Sequence, residues 1–257
     1  MVKVGGCLFT DLLFTNMAKV KVVGTGSSGN SYILECENEI LLIELGVNWN
    51  EIIKSLNYQE GFRKVVGCIA SHEHHDHLLT NTVKKAKSRG VQIYSCEEAA
   101  EMYGIHKVEP KSTFKLGNFT IQSLPLKHNA ECYGYIIRHP EFGKLLFATD
   151  CCEFRYKIRG LNHMLIECNY DEDYVLENAM EGHFSQSASE NHLELKDSVA
   201  AIEANYSSSL ENVILIHGSS SNLDNRKALR EVKNGIPIDN VFVAKAGNVF
   251  ELNKEEF

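Results

Sequence analysis

The sequence predicts an α/β fold in a single domain. Short apolar runs recur from Lys19 to Leu252, and segments of helical spacing stand between several of them. No repeat, low-complexity tract or linker divides the chain. At 257 residues it is long enough to bury a full core, and 44% apolar with 23% charged residues is ordinary for a soluble globular protein. No apolar run approaches the ~18–20 residues of a membrane span, so no membrane partner is expected. A net charge of -8 argues against a broadly basic nucleic-acid binder, although it leaves room for a local basic patch.

Residues 1–16 read as an N-terminal extension or loosely attached arm: Asp11 interrupts their apolar run, no small-residue cleavage site follows, and Met17 stands immediately before the first strand. The domain is therefore expected over residues 17–257. Val20–Val23 is apolar, and the loop Gly24–Asn30 (G-T-G-S-S-G-N) leads into Ser31–Cys36 and Ile40–Leu45. The loop formally matches G-x-G-x-x-G, but a dinucleotide fingerprint opens a helix and this one opens an alternating strand, so a hairpin is expected. Trp49–Leu56 is amphipathic and helical, and Val65–Ala70 is a buried strand. Leu79–Arg89, with Lys84, Lys85, Lys87 and Arg89, is a helix ending at Gly90; Val91–Tyr94 and Glu97–Tyr103 continue a βαβ rhythm. Strands return at Thr113–Leu116, Phe119–Leu124, Tyr133–Arg138, Lys144–Ala148 and His163–Cys168, with Gly117-Asn118 as a hairpin turn. Gln186–Asn205 has helical spacing, opened by G-H-F-S (Gly182 to Ser185). Asn212–Ile216 is a strand, a helix runs through about Val232, and Val241–Ala244 and Val249–Leu252 close the sheet.

Eight cysteines (Cys7, Cys36, Cys68, Cys96, Cys132, Cys151, Cys152 and Cys168) form no C-x-x-C pair and lie scattered, several in apolar runs. Such thiols point to a reducing compartment and a cytoplasmic protein.

The chemistry concentrates at Ser71–Leu78, S-H-E-H-H-D-H-L, where His72, His74, Asp76 and His77 form an H-x-H-x-D-H run on the loop leaving a buried strand. His72 and His74 point the same way if the backbone stays extended. Asp76 and His77 are adjacent and would diverge, which favours two neighbouring metal positions over one. Further strands end at His128, Asp150 and His217. Glu44, at the end of L-L-I-E-L-G, is either a solvated carboxylate or a partner that orients a ligand imidazole. Arg155, Lys157 and Arg159 follow Asp150 closely and either contact substrate phosphates or form a solvated helix face. His75 and His192 are expected to face solvent.

Taken together and in this order, these residues resemble the metallo-β-lactamase superfamily over roughly Lys19 to Leu252. The resemblance implies an αββα four-layer sandwich: two facing mixed sheets with helices outside. It also implies one divalent ion held by His72, His74 and His128, a second held by Asp76, His77 and His217, and Asp150 between them. Zn²⁺ suits such a mix of imidazole and carboxylate best, with Mn²⁺ or Fe²⁺ as alternatives. A water shared by the two ions would have its pKa lowered toward ~7 and so supply hydroxide as nucleophile. One departure stands out: the family usually carries Asp where this chain has Glu44, and the added methylene displaces the carboxylate.

Within the superfamily the chain is similar to the WalJ (YycJ-like) exonuclease group, through G-T-G-S-S-G-N-S, S-H-E-H-H-D-H, T-D with a following R-x-K-x-x-G, L-I-E-C-N-Y-D, G-H-F-S and I-H-G-S-S-S-N. The pairing of L-I-E-C-N-Y with G-H-F-S also resembles ribonuclease Z, and by that resemblance Glu167 orients His183, which protonates the leaving oxygen. Only 66 residues lie between Asp150 and His217, too few for the cap domain of β-CASP nucleases. The expected activity is a dinuclear phosphodiesterase, a DNA exonuclease acting on nucleic acid or a nucleotide, with Asp76, Glu167 and His183 as its catalytic residues. The alternatives are a metallohydrolase of a small ester, thioester, lactone or cyclic nucleotide, and a non-catalytic metal-binding protein with a degenerate site. No obligate protein partner is evident.

Overall fold

Each of two sheets changes from antiparallel to parallel pairing partway across, and that change fixes where the strand ends gather. The computed structural model describes residues 17–177 and 190–252. The first sheet contains β1 (Ala18–Gly24), β2 (Ser31–Glu35), β3 (Ile40–Ile43), β4 (Val65–Ile69), β5 (Ile93–Ser95), β6 (His106–Lys107) and β14 (Val249–Leu252), in the order β14-β1-β2-β3-β4-β5-β6. The second contains β7 (Thr113–Leu116), β8 (Phe119–Leu126), β9 (Cys132–His139), β10 (Gly143–Ala148), β11 (His163–Glu167), β12 (Asn212–Ile216) and β13 (Val241–Val243), in the order β13-β12-β11-β10-β9-β8-β7. Hairpins keep β1-β2-β3 and β7-β8-β9-β10 antiparallel, and the last strand β14 joins β1 antiparallel, whereas β3-β4-β5-β6 and β10-β11-β12-β13 run parallel. Parallel neighbours need crossovers. Helices α1 (Trp49–Ser55), α2 (Gln59–Phe62), α3 (Thr80–Ser88) and α4 (Glu97–Tyr103) lie in those of the first sheet; α5 (Glu172–Glu177), α6 (Leu195–Asn205) and α7 (Asn225–Gly235) lie in those of the second.

Strand periodicity sorts the side chains into layers. Along β11 and β12, Leu165, Ile214 and Ile216 enter the core shared by both sheets, while Met164, Ile166, Val213 and Leu215 enter a second core that includes Ala201 and Ile202 of α6 and Ala228 and Val232 of α7. In the shared core, Tyr32 of β2 meets Phe147 of β10 edge to face at 5.6 Å between ring centroids. Two facing mixed sheets with helices outside are the αββα sandwich that the sequence resemblance implied.

The expected hairpin at Gly24–Asn30 is present, pairing Gly24 with Ser31. The expected helix over Gln186–Asn205 is not continuous. Residues 192–194 are not helical: Leu193 and Leu195 exchange backbone hydrogen bonds with Asn169 and Tyr170 beyond the end of β11. The helix restarts at Leu195 with Glu194 as its N-cap. Residues 1–16 and the G-H-F-S segment with His183 lie outside the described residues. Among the described residues no helix is long and apolar enough to cross a membrane.

Phe147 is fully buried and joins the two sheets, so Phe147→Ala should lower the unfolding free energy by about 3–5 kcal/mol. Val249, 53% exposed on edge strand β14, should tolerate alanine within about 0.5 kcal/mol. Urea denaturation of the two variants checks both values.

Candidate metal centre

The parallel strands of both sheets point their C-terminal ends to one edge, where an α/β sheet characteristically receives ligands. Three strands leave that edge through left-handed residues that are not glycine: Glu44 after β3 (φ 63°), Asp150 after β10 (φ 52°) and His217 after β12 (φ 54°). Each such conformation costs roughly 1–2 kcal/mol and turns the side chain sharply out of the strand register. Beyond β4 the backbone is held by hydroxyls: Tyr135 and Ser95 both donate to the Ala70 carbonyl, at 2.7 and 2.8 Å.

The next residues form the S-H-E-H-H-D-H-L loop. His72 and His74 do face one way, with ring centroids 4.4 Å apart, and His128 lies 4.8 Å from His72 and 5.1 Å from His74. Asp76 and His77, expected to diverge, instead converge: Asp76 Oδ2 lies 3.3 Å from His77 Nε2 and 3.4 Å from His217 Nε2. The loop is not extended there. The His77 and Leu78 N–H groups both donate to the His74 carbonyl, forming one tight turn. Two triads with ligand atoms mutually within 4.8 Å result, His72/His74/His128 and Asp76/His77/His217. Asp150 lies between them, with Oδ2 3.0 Å from His77 Nε2 and 3.7 Å from His217 Nε2, and it groups with His72 and His77.

Several side chains that sequence reasoning passed over aim these groups. The Ser71 hydroxyl lies 2.8 Å from His72 Nδ1 and 3.3 Å from His77 Nδ1, so one oxygen orients two imidazoles. Asn30, closing the glycine-rich hairpin, places its amide 3.2 Å from His77 Nε2 and 3.3 Å from Asp76 Oδ2, and the Asn169 amide lies 3.1 Å from His217 Nδ1. The Asn191 carbonyl accepts from His128 Nδ1, 3.0 Å away, which leaves Nε2 of that ring with its lone pair toward His74. Glu44 is fully buried rather than solvated. Its Oε1 accepts the Ser71 N–H at 3.0 Å and stands 3.4 Å from His77 Nδ1, so the longer side chain still reaches the ligand loop.

His192, expected in solvent, belongs to the site. Its Nδ1 lies 2.7 Å from Glu167 Oε1 and 3.5 Å from Asp150 Oδ1, its ring stacks on His217 at 5.2 Å, and its side chain keeps 23% exposure. The break before α6 carries it there. His75 is exposed, as expected. Arg155, Lys157 and Arg159 alternate outward along an irregular segment rather than a helix face; Arg155, 79% exposed, is ion-paired with Glu153.

Buried polar groups normally have partners, yet His72 Nε2 and one oxygen of Glu44 have no hydrogen-bond partner. Burial disfavours charge on His217, but Asp150, Asp76 and Glu167 outweigh it and raise the imidazole to about 10. Burial opposes charge on His77 as well, and the Asp150 and Glu44 carboxylates push it well up. Burial lowers His72 and His128, which present neutral, ligand-competent imidazoles. Protons on His77 and His217 thus balance carboxylates that divalent ions would otherwise balance, and the nitrogen and oxygen donors present fit such ions.

Metal uptake should therefore release protons and tighten as pH rises, by about tenfold per pH unit for each proton displaced. Calorimetric Zn²⁺ titrations in buffers of different ionisation enthalpy measure that release. Glu44→Ala removes the carboxylate beside His77 and should weaken metal binding by about 10–100-fold in a chelator competition.

Residues 51–217 match the family described as the beta-lactamase superfamily domain. Exodeoxyribonuclease WalJ of Streptococcus pneumoniae is 24% identical over 225 residues, covering 79% of this chain and 82% of that protein. Among solved structures, the metallo-beta-lactamase fold protein YhfI of Bacillus subtilis superposes with a TM-score of 0.68 at 20% identity, over 91% of this chain and 99% of the other. The short form of human tRNase Z superposes with a TM-score of 0.61 at 15% identity, again over 91% and 99%. The two structural likenesses establish the fold, and the family match runs from within α1 to the His217 strand exit. The chain belongs to the beta-lactamase superfamily.

Proposed function

We propose that this superfamily hydrolase is a metal-dependent phosphodiesterase acting on nucleic acid, most specifically a DNA exonuclease, and that His192 is its general acid. The observation that carries the reading is the 2.7 Å contact between Glu167 and His192, set beside Asp150 and His217. Phosphodiester cleavage expels an alkoxide, and a positioned proton donor accelerates that departure by about 10²–10⁴-fold. Burial disfavours charge on His192, yet the bond to Glu167 outweighs it and raises the pKa, so the ring holds its proton to higher pH than an ordinary imidazole. Glu167 is completely buried and also accepts the Cys151 and Leu193 N–H groups at 3.0 and 3.3 Å, so it fixes the imidazole without moving itself. This gives His192 the role that the ribonuclease Z resemblance had assigned to His183.

The seven side chains His72, His74, His128, Asp76, His77, His217 and Asp150 would hold two divalent ions, with Zn²⁺ the best match and Mn²⁺ or Fe²⁺ as alternatives. When bound, such ions lower the pKa of water toward ~7 and stabilise negative charge on phosphoryl oxygens. Arg155, Lys157 and Arg159 would meet backbone phosphates on the side of Asp150. The sequence similarity to an exodeoxyribonuclease supports a DNA substrate, and the absence of disulfides among the described cysteines supports a cytoplasmic setting.

With Mn²⁺ or Zn²⁺, end-labelled single- and double-stranded DNA should release mononucleotides, and Asp76→Asn should abolish the release. His192→Ala should lower kcat by about 10²–10⁴-fold with metal content unchanged, while His183→Ala should change it only a few-fold. Intact DNA in the presence of metal-loaded protein would contradict the reading and direct the search to small esters and cyclic nucleotides. A large loss in His183→Ala alone would return the proton to that residue.

A further inference from the structure

A second cluster of metal-competent side chains stands at the opposite end of the sandwich. β2 begins beside Asn30 at the candidate centre and ends next to Cys36; β9 begins at Cys132, whose Sγ is 3.8 Å from His72 Nδ1, and ends at His139. Both strands run their whole length away from the centre, roughly 17–26 Å of extended chain. There the β2–β3 turn of one sheet meets the β9–β10 turn of the other. Cys36 Sγ faces His139 Nδ1 at 3.3 Å, and these atoms with a Glu141 carboxylate oxygen all lie within 4.8 Å of one another.

We propose that Cys36, His139 and Glu141 form a second, structural Zn²⁺ site that fastens the two sheets together at the end remote from the candidate centre. Three features carry this. The first is spacing. An ion at Zn–S ≈ 2.3 Å and Zn–N ≈ 2.0 Å from two atoms 3.3 Å apart subtends an angle of about 100°, close to tetrahedral.

The second is how the imidazole is aimed. Glu39 Oε1 lies 2.9 Å from His139 Nε2, and Phe119 and Phe142 contact the ring at 4.7 and 5.5 Å between centroids. A carboxylate on the remote nitrogen and a ring locked by packing are what a zinc-binding histidine needs, because they fix the tautomer and leave the lone pair on Nδ1. Glu39 is itself anchored, since it accepts the Asn118 N–H with both oxygens at 3.2 and 3.0 Å.

The third is donor chemistry. A thiolate with an imidazole and a carboxylate selects Zn²⁺ over the oxygen-seeking Mg²⁺ or Ca²⁺. Cys36 and His139 are buried, and Glu141, half-buried, opens the fourth position to water. Without the ion, Nδ1 accepts the Glu141 N–H at 3.2 Å, so uptake exchanges that backbone hydrogen bond for a coordinate bond and releases the Cys36 thiol proton to solvent.

Cobalt distinguishes the two ends, because the seven side chains assigned to the candidate catalytic centre donate only nitrogen and oxygen, and Cys132, the thiol beside His72, is tested by its own variant. Titrating the full-length protein with Co²⁺ should produce a thiolate-to-cobalt charge-transfer band that saturates at one ion per chain. The band should vanish in Cys36→Ser, persist in Cys132→Ser, and require at least tenfold more Co²⁺ in Glu141→Gln. Glu141 is partly exposed, so the last variant decides the matter should Cys36→Ser fail to fold. The proposal is overturned by an absent band at saturating Co²⁺, by one that survives Cys36→Ser or disappears in Cys132→Ser, or by one indifferent to Glu141→Gln. The cluster would then be a hydrogen-bonded staple only.

Discussion

Buried negative charge at one edge of the sandwich is the constraint on which the rest of the site depends. Glu44, Asp150 and Glu167 are almost wholly removed from water, and Asp76 stands beside them. Carboxylates so placed are costly unless cations face them. In the protein alone, protonated His77 and His217 meet that requirement, and Asp76, Asp150 and Glu167 are held below the usual carboxylate range despite their burial. The same arrangement suits divalent ions, which would replace the protons and take the imidazoles as neutral ligands. The strained exits at Glu44, Asp150 and His217 follow from it: in each case the chain adopts a left-handed residue to turn a polar side chain into the seam.

Strain of this kind persists only where surrounding structure over-determines it. Here the over-determination is visible atom by atom. Ser71 bridges two imidazoles, Asn30 ties the first hairpin to His77 and Asp76, Asn169 holds His217, and Thr25 accepts the His217 N–H at 2.9 Å. The hairpin glycines serve the same end. Gly29 has φ 140°, and a Cβ there would meet the Gly46 carbonyl oxygen at 2.5 Å, so a side chain would push the first hairpin away from the segment that follows Glu44.

Most of this architecture is legible in the sequence because it rests on local signals. Apolar runs of strand length, the Gly117-Asn118 turn and the amphipathic stretch at Trp49 each announce an element within its own span. The H-x-H-x-D-H run declares its chemistry in six residues, and His128, Asp150 and His217 follow as strand-end residues. What remained hidden depends on contacts between distant segments. His192 sits in a stretch of helical spacing with nothing local to mark it; its place beside Glu167 and Asp150 arises only because the chain pairs with Asn169 and Tyr170 and interrupts that helix. A retrospective signal is its place shortly before α6, in a segment that must return past the acidic end of β11. Asp76 and His77 were misdirected by assuming extended backbone, which the turn on the His74 carbonyl removes. Ser71, Asn30 and Asn169 carry no motif beyond their neighbours, and their importance is purely geometric.

The proposed holding of two metal ions by seven side chains at the strand-end edge is open to direct observation. Anomalous diffraction from crystals equilibrated with Zn²⁺ or Mn²⁺ tests it most directly. Two peaks about 3.5–4 Å apart are expected, one beside His72, His74 and His128 and one beside Asp76, His77 and His217. A single peak, or none, at this edge would contradict the proposal.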